Sequence, residues 1–394
     1  MQKLLSLITI FLLFNGCRQN IDVKAQTQNK TEILQIKLVN NFNVWAYSKD
    51  EKDIIKLWEE VLNTDLRQVT DSDLKYWTAS EQFPFPKRFM SFLNGVKTLK
   101  RGCQATIIAL FPLENDTFML KTMFNSTYDT DNKTQLEYIY SVHVVKTNQG
   151  FKFQSLPQYY YQNWDKKTVG NVTYCYNKSR VFNDKLALKM DSFNVAMSQL
   201  FKTNKQSPVY FIGKNIFEAQ QIMGYDFSPE QATKHQIGAL TQPENNVIFA
   251  GNNTEYYPHE MVHLYTREFW GKDNFYYHQW IDEGLAVYLG GYLGQPLAHH
   301  LKVMKTYLDK HPEEPLNDIS TFYFNVNNEF NSNFMYEIGG LICQRVYEKE
   351  GMNGIIDLLK SGDTDADFYK AIEKHFNVRK EGFGAFIRKE LESF

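Results

Sequence analysis

The chain has 394 residues, of which 43% are hydrophobic, and its formal net charge at pH 7 is −2. This length predicts two or more domains, and the hydrophobic content is sufficient for well-packed cores. A net charge so close to zero argues against nucleic acid or a polybasic membrane-binding surface as the main partner.

The N-terminus predicts an export signal. Lys3 precedes an apolar run, residues 4–14, that is too short to cross a bilayer as a mature helix. The run leads into Asn15-Gly16-Cys17, which resembles a bacterial lipobox, although Phe14 departs from the usual leucine-type residue. We expect residues 1–16 to be a lipoprotein signal peptide. A lipid on Cys17 would then hold the protein at a membrane of the cell envelope, facing the periplasm or the exterior.

An ordinary secretory peptide with a chance cysteine is the alternative for this region. Residues 17–32 are polar, as a tether would be. The other three cysteines, Cys103, Cys175 and Cys343, lie in different regions and do not form a disulfide framework. A Cys103–Cys175 bridge and free buried thiols both remain open.

Residues 33–165 predict a first folded unit of α+β type. Helical spacing at 49–62, and shorter helical stretches at 71–77 and 87–93, precede runs rich in β-branched and aromatic residues. The expected strands are 106–111, 117–125, 136–145 and 151–155. Helices followed by a curved antiparallel sheet predict an NTF2-like topology. The aromatic residues 159–161 and Trp164 either bind substrate or pack against the next domain.

Residues 168–394 predict a second unit, which begins with strands and ends with helices. Strands are expected at 170–174 and 209–212, and helices at 183–202 and 215–223. Two short strands, 236–240 and 246–250, are joined by a polar turn. After Gly294 the pattern is almost wholly helical, with helices expected at 301–310, 333–350, 354–360, 368–376 and 381–391.

The segment His259-Glu260-Met261-Val262-His263 places two histidines four residues apart. On a helix both imidazoles then share a face and can bind one metal ion. Glu260 would lie beside the ion without binding it, where a base that activates water belongs. Pro258 suits the first turn of such a helix, the polar residues 252–254 are expected to cap its start, and Gly271 to end it.

A second helical segment, residues 278–289, supplies the third ligand. Its spacing puts Trp280, Glu283 and Val287 on one stripe, so Glu283 faces inward among apolar neighbours. A carboxylate in such surroundings costs free energy unless it meets a cation. Two imidazoles and one carboxylate leave a tetrahedral ion with one open position, so we expect Zn²⁺ as the cofactor.

The two motifs, HEMVH and WIDEGLA, together resemble the gluzincin metallopeptidases, and in particular the M1 aminopeptidase-like group. The resemblance covers about residues 168–394 and implies a thermolysin-like peptidase domain with a helical C-terminal part. It implies that His259, His263 and Glu283 bind zinc and that Glu260 is the general base. In the family a tyrosine followed by Glu-x-Gly donates a hydrogen bond to the developing oxyanion, and Tyr336 matches that tyrosine.

One element of that family differs in this chain. M1 aminopeptidases grip the free amine of the substrate with the glutamate of a GxMEN segment. The nearest stretch here, residues 238–245, lacks the methionine. It offers Gly238 and Glu244 as substrate-binding candidates, but it also fits the two strands and turn, one strand of which can pair with an extended substrate. Aminopeptidase and endopeptidase action therefore both stay open.

Further polar residues near the motifs have more than one interpretation. Asp282 either hydrogen-bonds a ligand histidine or points away, because neighbours on a helix lie about 100° apart. His278 borders the cleft, faces solvent or caps its helix. His299 and His300, in an expected loop, are weak candidates for a second metal site.

Two functional hypotheses follow. The first is a lipid-anchored zinc metallopeptidase that hydrolyses peptides or proteins with metal-activated water, using Glu260 as general base and Tyr336 to stabilise the oxyanion. The second is a catalytically idle, peptidase-like lipoprotein that binds peptides or proteins. The presence of all three ligands, the base and the tyrosine favours the first, because a binding protein needs no such set.

Overall fold

The computed structural model describes residues 37–40, 47–63, 75–78, 102–127, 134–231, 238–269, 278–320 and 333–394. The expected signal peptide with Cys17, the tether, the helix at 87–93, most of the one at 71–77 and Gly271 lie outside the described residues.

The chain is a mixed α+β protein. Its strands are β1 (Lys37–Asn40), β2 (Gly102–Pro112), β3 (Thr117–Thr127), β4 (Thr134–Thr147), β5 (Gly150–Gln154), β6 (Asp165–Val169), β7 (Val172–Tyr176), β8 (Val209–Gly213), β9 (Tyr225–Phe227), β10 (Gly238–Gln242) and β11 (Val247–Gly251). Its helices are α1 (Lys49–Asn63), α2 (Leu156–Asn163), α3 (Asp184–Phe201), α4 (Ile216–Ile222), α5 (Pro258–Thr266), α6 (Gln279–Gly290), α7 (Leu297–Lys310), α8 (Phe334–Leu359), α9 (Asp365–Phe376) and α10 (Lys380–Leu391).

The first sheet is a meander covered by a helix. Strands β2 to β5 pair antiparallel in sequence order, and β1 adds to β2 in parallel. The apolar face of α1 buries Ile54 and Trp58. The Trp58 indole donates a hydrogen bond of 2.9 Å to Thr122 Oγ1, and its ring lies 4.9 Å from that of Phe153. The expected helix at 49–62 and the four expected strands are confirmed, because each has an apolar face that this packing buries.

The second sheet has the order β10-β11-β8-β7-β6. Its three inner strands run parallel, whereas β6 and β10 pair antiparallel at the two edges. Every residue of β8 and of β11 is buried, as expected for parallel strands covered on both faces. The expected strands of this unit are confirmed, and β10 is an edge strand in the described part of the chain.

The second sheet separates two hydrophobic cores. Because side chains alternate along a strand, Tyr210 and Ile212 of β8 pack into the core of the later helices. Val209 and Phe211 of the same strand pack into the core beneath the first sheet. Strand β9, which follows α4, pairs with β4 of the first sheet. Both sheets therefore contribute residues to one hydrophobic core.

The C-terminal part is helical, as expected. Helix α6 packs against both α5 and α8, so it lies between the first motif and the helix that carries Tyr336. The helices expected at 333–350 and 354–360 form one element, α8, interrupted at Gly351, whose φ of 64° breaks the helical path. Helix α7 begins at Leu297, so His299 and His300 lie in a helix and the expected loop there is wrong. Within the described residues no helix is both long and apolar enough to span a membrane.

Candidate metal centre

Helix α5 carries three of the predicted site residues. Pro258 occupies its first turn, as expected, and all nine of its residues are buried. His259 and His263 lie one turn apart, with ring centroids separated by 5.1 Å. The helix repeat of 3.6 residues explains why the two imidazoles lie on the same face of the helix.

The expected capping of α5 by residues 252–254 is wrong. Tyr257 occupies the N-cap position and makes no side-chain cap. Asn253 instead accepts a 3.1 Å hydrogen bond from Arg180 Nε, and the Thr254 hydroxyl accepts one from the Tyr256 amide. Arg180 also pairs with the buried Glu255, so the turn before α5 is fixed by a charged clamp. The hydrogen bonds of the Asn253 and Thr254 side chains are therefore made within the loop and to Arg180, and not to the first turn of the helix.

Helix α6 brings Glu283 to the two imidazoles. Its Oε2 lies 3.1 Å from His259 Nε2 and 3.6 Å from His263 Nε2. One ligand atom from each of the three residues lies within 4.8 Å of the others, which makes this the one group of that kind among the described residues. The three side chains that the sequence proposed as ligands therefore converge on one point.

Each histidine is oriented by an acceptor at its other nitrogen. His259 Nδ1 lies 2.9 Å from the carbonyl oxygen of Gly291, and His263 Nδ1 lies 2.8 Å from Asp282 Oδ2. Because a carbonyl or carboxylate oxygen can only accept, each Nδ1 carries a proton. The other nitrogen of each ring, Nε2, faces Glu283 and is the atom that would bind a cation. The expected hydrogen bond of Asp282 to a histidine of the first motif is confirmed.

This donor set fits zinc. Two neutral imidazole nitrogens and one carboxylate oxygen match the ligands of catalytic zinc sites, and the outer hydrogen bonds to Gly291 and Asp282 match what such histidines need. Calcium and magnesium prefer oxygen ligands alone, so the two nitrogens disfavour them.

The electrostatics of the metal-free site also fit a cation. Burial opposes protonation of His263, but the carboxylates of Asp282 and Glu283 raise its pKa to about 10. Burial favours the neutral form of Glu283, yet His263, His259 and Tyr336 together lower its pKa below the usual value. The carboxylates therefore favour the protonated, positively charged form of His263. A bound zinc ion would displace the proton that His263 carries in its absence.

Glu260 lies beside the ligands and is held by the edge strand. The Thr241 hydroxyl, on β10, donates a 2.7 Å hydrogen bond to Glu260 Oε2 and lies 3.0 Å from the Glu260 carbonyl oxygen. The Glu260 side chain is buried and is not one of the three converging groups. The sequence did not mark Thr241 as a site residue, because Thr241 follows the strand expected at 236–240 and falls in the expected polar turn. In the structure the strand continues to Gln242 and includes Thr241.

Tyr336 reaches the same point from helix α8. Its ring lies 6.0 Å from that of His259, and its hydroxyl is close enough to the Glu283 carboxylate to lower the pKa of that group. Helices α6 and α8 cross closely here. A Cβ atom added at Gly339 would overlap the carbonyl oxygen of Trp280 and lie 3.1 Å from the Gly284 Cα. The small residues after Tyr336 therefore permit the approach that brings its phenol to Glu283.

Two more tyrosines border the site, and the sequence did not single them out. The ring of Tyr257 lies 6.0 Å from that of His259. The ring of Tyr292 lies 6.3 Å from that of His259 and 4.9 Å from that of Tyr336. Among 24 tyrosines, only their positions next to the motif helices distinguish these two.

The remaining candidates are spread around the site. Gly238 begins β10, and Glu244 lies in the 3-10 turn Pro243–Asn245, with its side chain outside the described atoms. His278 is buried and caps α6 by accepting from the Trp280 amide at 3.3 Å, so the capping interpretation is confirmed and the solvent-facing one is wrong. His300 donates to the Tyr292 carbonyl oxygen.

The described cysteines are free. Cys175 and Cys343 are buried thiols, which confirms the second alternative for Cys175, and the side chain of Cys103 lies outside the described atoms.

No protein-family model, curated protein or solved structure matches this chain. The interpretation of the site therefore depends on its own residues and geometry.

Proposed function

We propose that the protein is a zinc-dependent peptidase of the gluzincin kind. The second sheet and the following helices would form its thermolysin-like domain. The observation that carries the proposal is the convergence of two Nε2 atoms and one carboxylate oxygen, with both Nδ1 atoms held by acceptors. Burying these groups costs free energy, which a bound cation would offset. A purely structural helix pair has no need of that arrangement.

Glu260 is the general base in this proposal. A bound zinc ion would polarise the scissile carbonyl and bring the pKa of a coordinated water close to neutrality. Thr241 donates a hydrogen bond to Oε2 of Glu260, so Oε1 is the oxygen that accepts a proton from the attacking water. The same carboxyl group then returns the proton to the nitrogen of the leaving amine.

Tyr336 stabilises the negative charge that develops on the carbonyl oxygen. Burial and the nearby Glu283 carboxylate raise the pKa of Tyr336 well above its usual value, so the phenol stays protonated at neutral pH. A protonated phenol beside Glu283 can donate a hydrogen bond to an oxygen on which charge appears. Removing one such donor in other enzymes costs about 10²–10³ in rate.

The substrate is a peptide or protein in extended conformation. Strand β10 has one edge paired with β11, and its Thr241 contacts the base. A substrate backbone that adds to the other edge of β10 would run past Glu260, as peptides do on other edge strands. This mode suits an endopeptidase as well as an aminopeptidase, and Gly238 and Glu244 remain the candidates for substrate contacts.

The proposal extends to the rest of the chain. The first sheet with α1 would be an NTF2-like unit, and Cys17 would carry a lipid that anchors the protein in the bacterial cell envelope. Incorporation of a labelled fatty acid into the full chain, and its absence in Cys17→Ala, tests the anchor.

Hydrolysis of a peptide library by the zinc-loaded protein tests the function. We expect Glu260→Gln to lower kcat by about 10²–10⁴-fold, with zinc content unchanged because Glu260 is not a ligand. The control is Glu268→Gln, an exposed glutamate in the 3-10 turn that follows α5, which should leave activity unchanged. Cleavage of amine-blocked peptides would decide for an endopeptidase. Zinc binding without turnover of any peptide would refute the enzyme and support the binding protein.

A further inference from the structure

A short turn after α6 contacts two residues of the metal centre, His259 and Tyr336. Gly291 is the C-cap residue of α6, and Tyr292 and Gln295 exchange two backbone hydrogen bonds of 2.9 Å. The two residues between them have positive φ, 48° at Leu293 and 77° at Gly294, which is the geometry of a tight two-residue hairpin turn. The segment Gly291–Gln295 is called the tyrosine turn below.

The tyrosine turn is fixed from two further directions. His300, one helical turn into α7, donates a 2.8 Å hydrogen bond from Nε2 to the Tyr292 carbonyl oxygen. The Leu293 backbone lies beside the hydroxyl of Tyr257, the residue before α5. These contacts restrict the backbone of the turn and so the placement of the Tyr292 ring.

The turn contacts a zinc-ligand candidate through its first residue and the oxyanion donor through its second. The Gly291 carbonyl accepts from His259 Nδ1, and the Tyr292 ring meets the Tyr336 ring edge to face, at 4.9 Å and 90°. An edge-to-face pair of this separation is a favourable aromatic geometry. The Tyr336 ring therefore has two ring neighbours at the site, Tyr292 and His259, and the His259 ring lies 6.0 Å away.

We propose that Tyr292 is a positioning residue that acts through Tyr336: its ring holds the Tyr336 phenol against the metal centre, and its own hydroxyl is dispensable. The inference deepens the proposed function and rests on it for the role of Tyr336. If the ring contact is what matters, phenylalanine can replace Tyr292 and leucine cannot.

A double-mutant cycle with Tyr292→Leu and Tyr336→Phe tests the inference. The first readout is the affinity of the zinc-loaded protein for a peptide phosphonate, whose tetrahedral oxygens mimic the transition state, measured by calorimetry. This readout needs no turnover. The second readout is kcat and KM for a cleaved peptide, with zinc content measured for every variant.

We expect Tyr292→Leu to weaken phosphonate binding and to lower kcat by roughly 3- to 10-fold, with KM and zinc content unchanged. Tyr292→Phe should stay within about twofold of wild type, since the ring remains. In the Tyr336→Phe background, Tyr292→Leu should cause no further loss, because the group through which it acts is gone. The control is Tyr288→Leu, which removes a tyrosine of α6 whose ring lies 6.0 Å from that of Tyr347 of α8. It should leave phosphonate affinity unchanged.

A full additional loss in the Tyr336→Phe background would show that Tyr292 acts independently and would overturn the inference. Equal phosphonate affinity of wild type and Tyr292→Leu, or of wild type and Tyr336→Phe, would overturn it too. Failure of the proposed function has a different signature, namely no peptide hydrolysis by the wild type, and the phosphonate cycle still decides the role of Tyr292 in that case.

Discussion

Gly290, the last residue of α6, is a sharp probe of the metal centre because it touches the backbone of a ligand residue. A Cβ atom at this position would lie 2.6 Å from the His259 nitrogen, 2.7 Å from the His259 Cα and 2.8 Å from the Pro258 carbonyl carbon. All three are backbone atoms, so no side chain can rotate out of the way. Separations below 3.0 Å are essentially never tolerated by a Cβ, so Gly290→Ala must push α5 and α6 apart by at least 0.4 Å, the difference between 3.0 and 2.6 Å.

The size of the effect follows from that displacement. Overpacking of this kind costs about 1–3 kcal/mol, whereas alanine in a helix gains at most about 1 kcal/mol over glycine. We therefore expect Gly290→Ala to lower the free energy of unfolding by about 1–2 kcal/mol. Because a misplacement of 1 Å can cost about 10²-fold in rate, a shift of His259 by roughly half that distance should lower kcat about tenfold.

Urea unfolding of the zinc-free protein, followed by circular dichroism, measures the stability change. The matched control is Gly382→Ala in α10, where the nearest atom to an added Cβ is Val378 Cγ1 at 3.8 Å. The control has space for the methyl group, so it should be as stable as wild type or up to about 1 kcal/mol more stable. If Gly290→Ala unfolds at the same urea concentration as Gly382→Ala, with an unchanged m-value, the close contact between α6 and His259 is refuted.

Two further predictions concern the hydrogen bond between Asp282 and His263. Asp282→Asn should weaken zinc binding by about 10–100-fold, because an amide can donate to Nδ1 and favour the tautomer that protonates Nε2. Competition with a chromogenic chelator measures this, and unchanged affinity would show that His263 needs no carboxylate partner. The pKa of His263, raised from 6.5 to about 10, gives the metal-free protein stability that is complete below pH 6.5 and is lost as the pH rises through 10. The urea concentration at the unfolding midpoint of the metal-free protein should therefore decrease as the pH is raised from 6.5 to 10. Zinc affinity should increase over the same range, because the ion must displace the proton on His263. A midpoint independent of pH would contradict the assignment.

Two expectations from the sequence were wrong, namely the helix cap at residues 252–254 and the start of α7. The polar residues 252–254 have the composition of a helix cap, but Arg180 and a backbone amide use Asn253 and Thr254. Composition shows which side chains can form hydrogen bonds but not with which partner. The partner of Asn253 comes from a segment more than 70 residues away in the chain, and that of Thr254 is an amide of the same loop. The helix α7 starts four residues earlier than expected because its first turn is stabilised by burial of Leu297 against the helical core and not by a local signal.

Helix periodicity in the sequence alone determined that His259 and His263 share a face, that Glu260 lies beside them and that Glu283 points inward. Strand alternation likewise determined where most of the described strands lie. Only the tertiary structure decided that Thr241 holds Glu260, that the Gly291 carbonyl orients His259 and that Tyr292 meets Tyr336. The reason is physical: periodicity depends on neighbours within two turns of the chain, whereas these contacts join segments brought together by the burial of apolar faces.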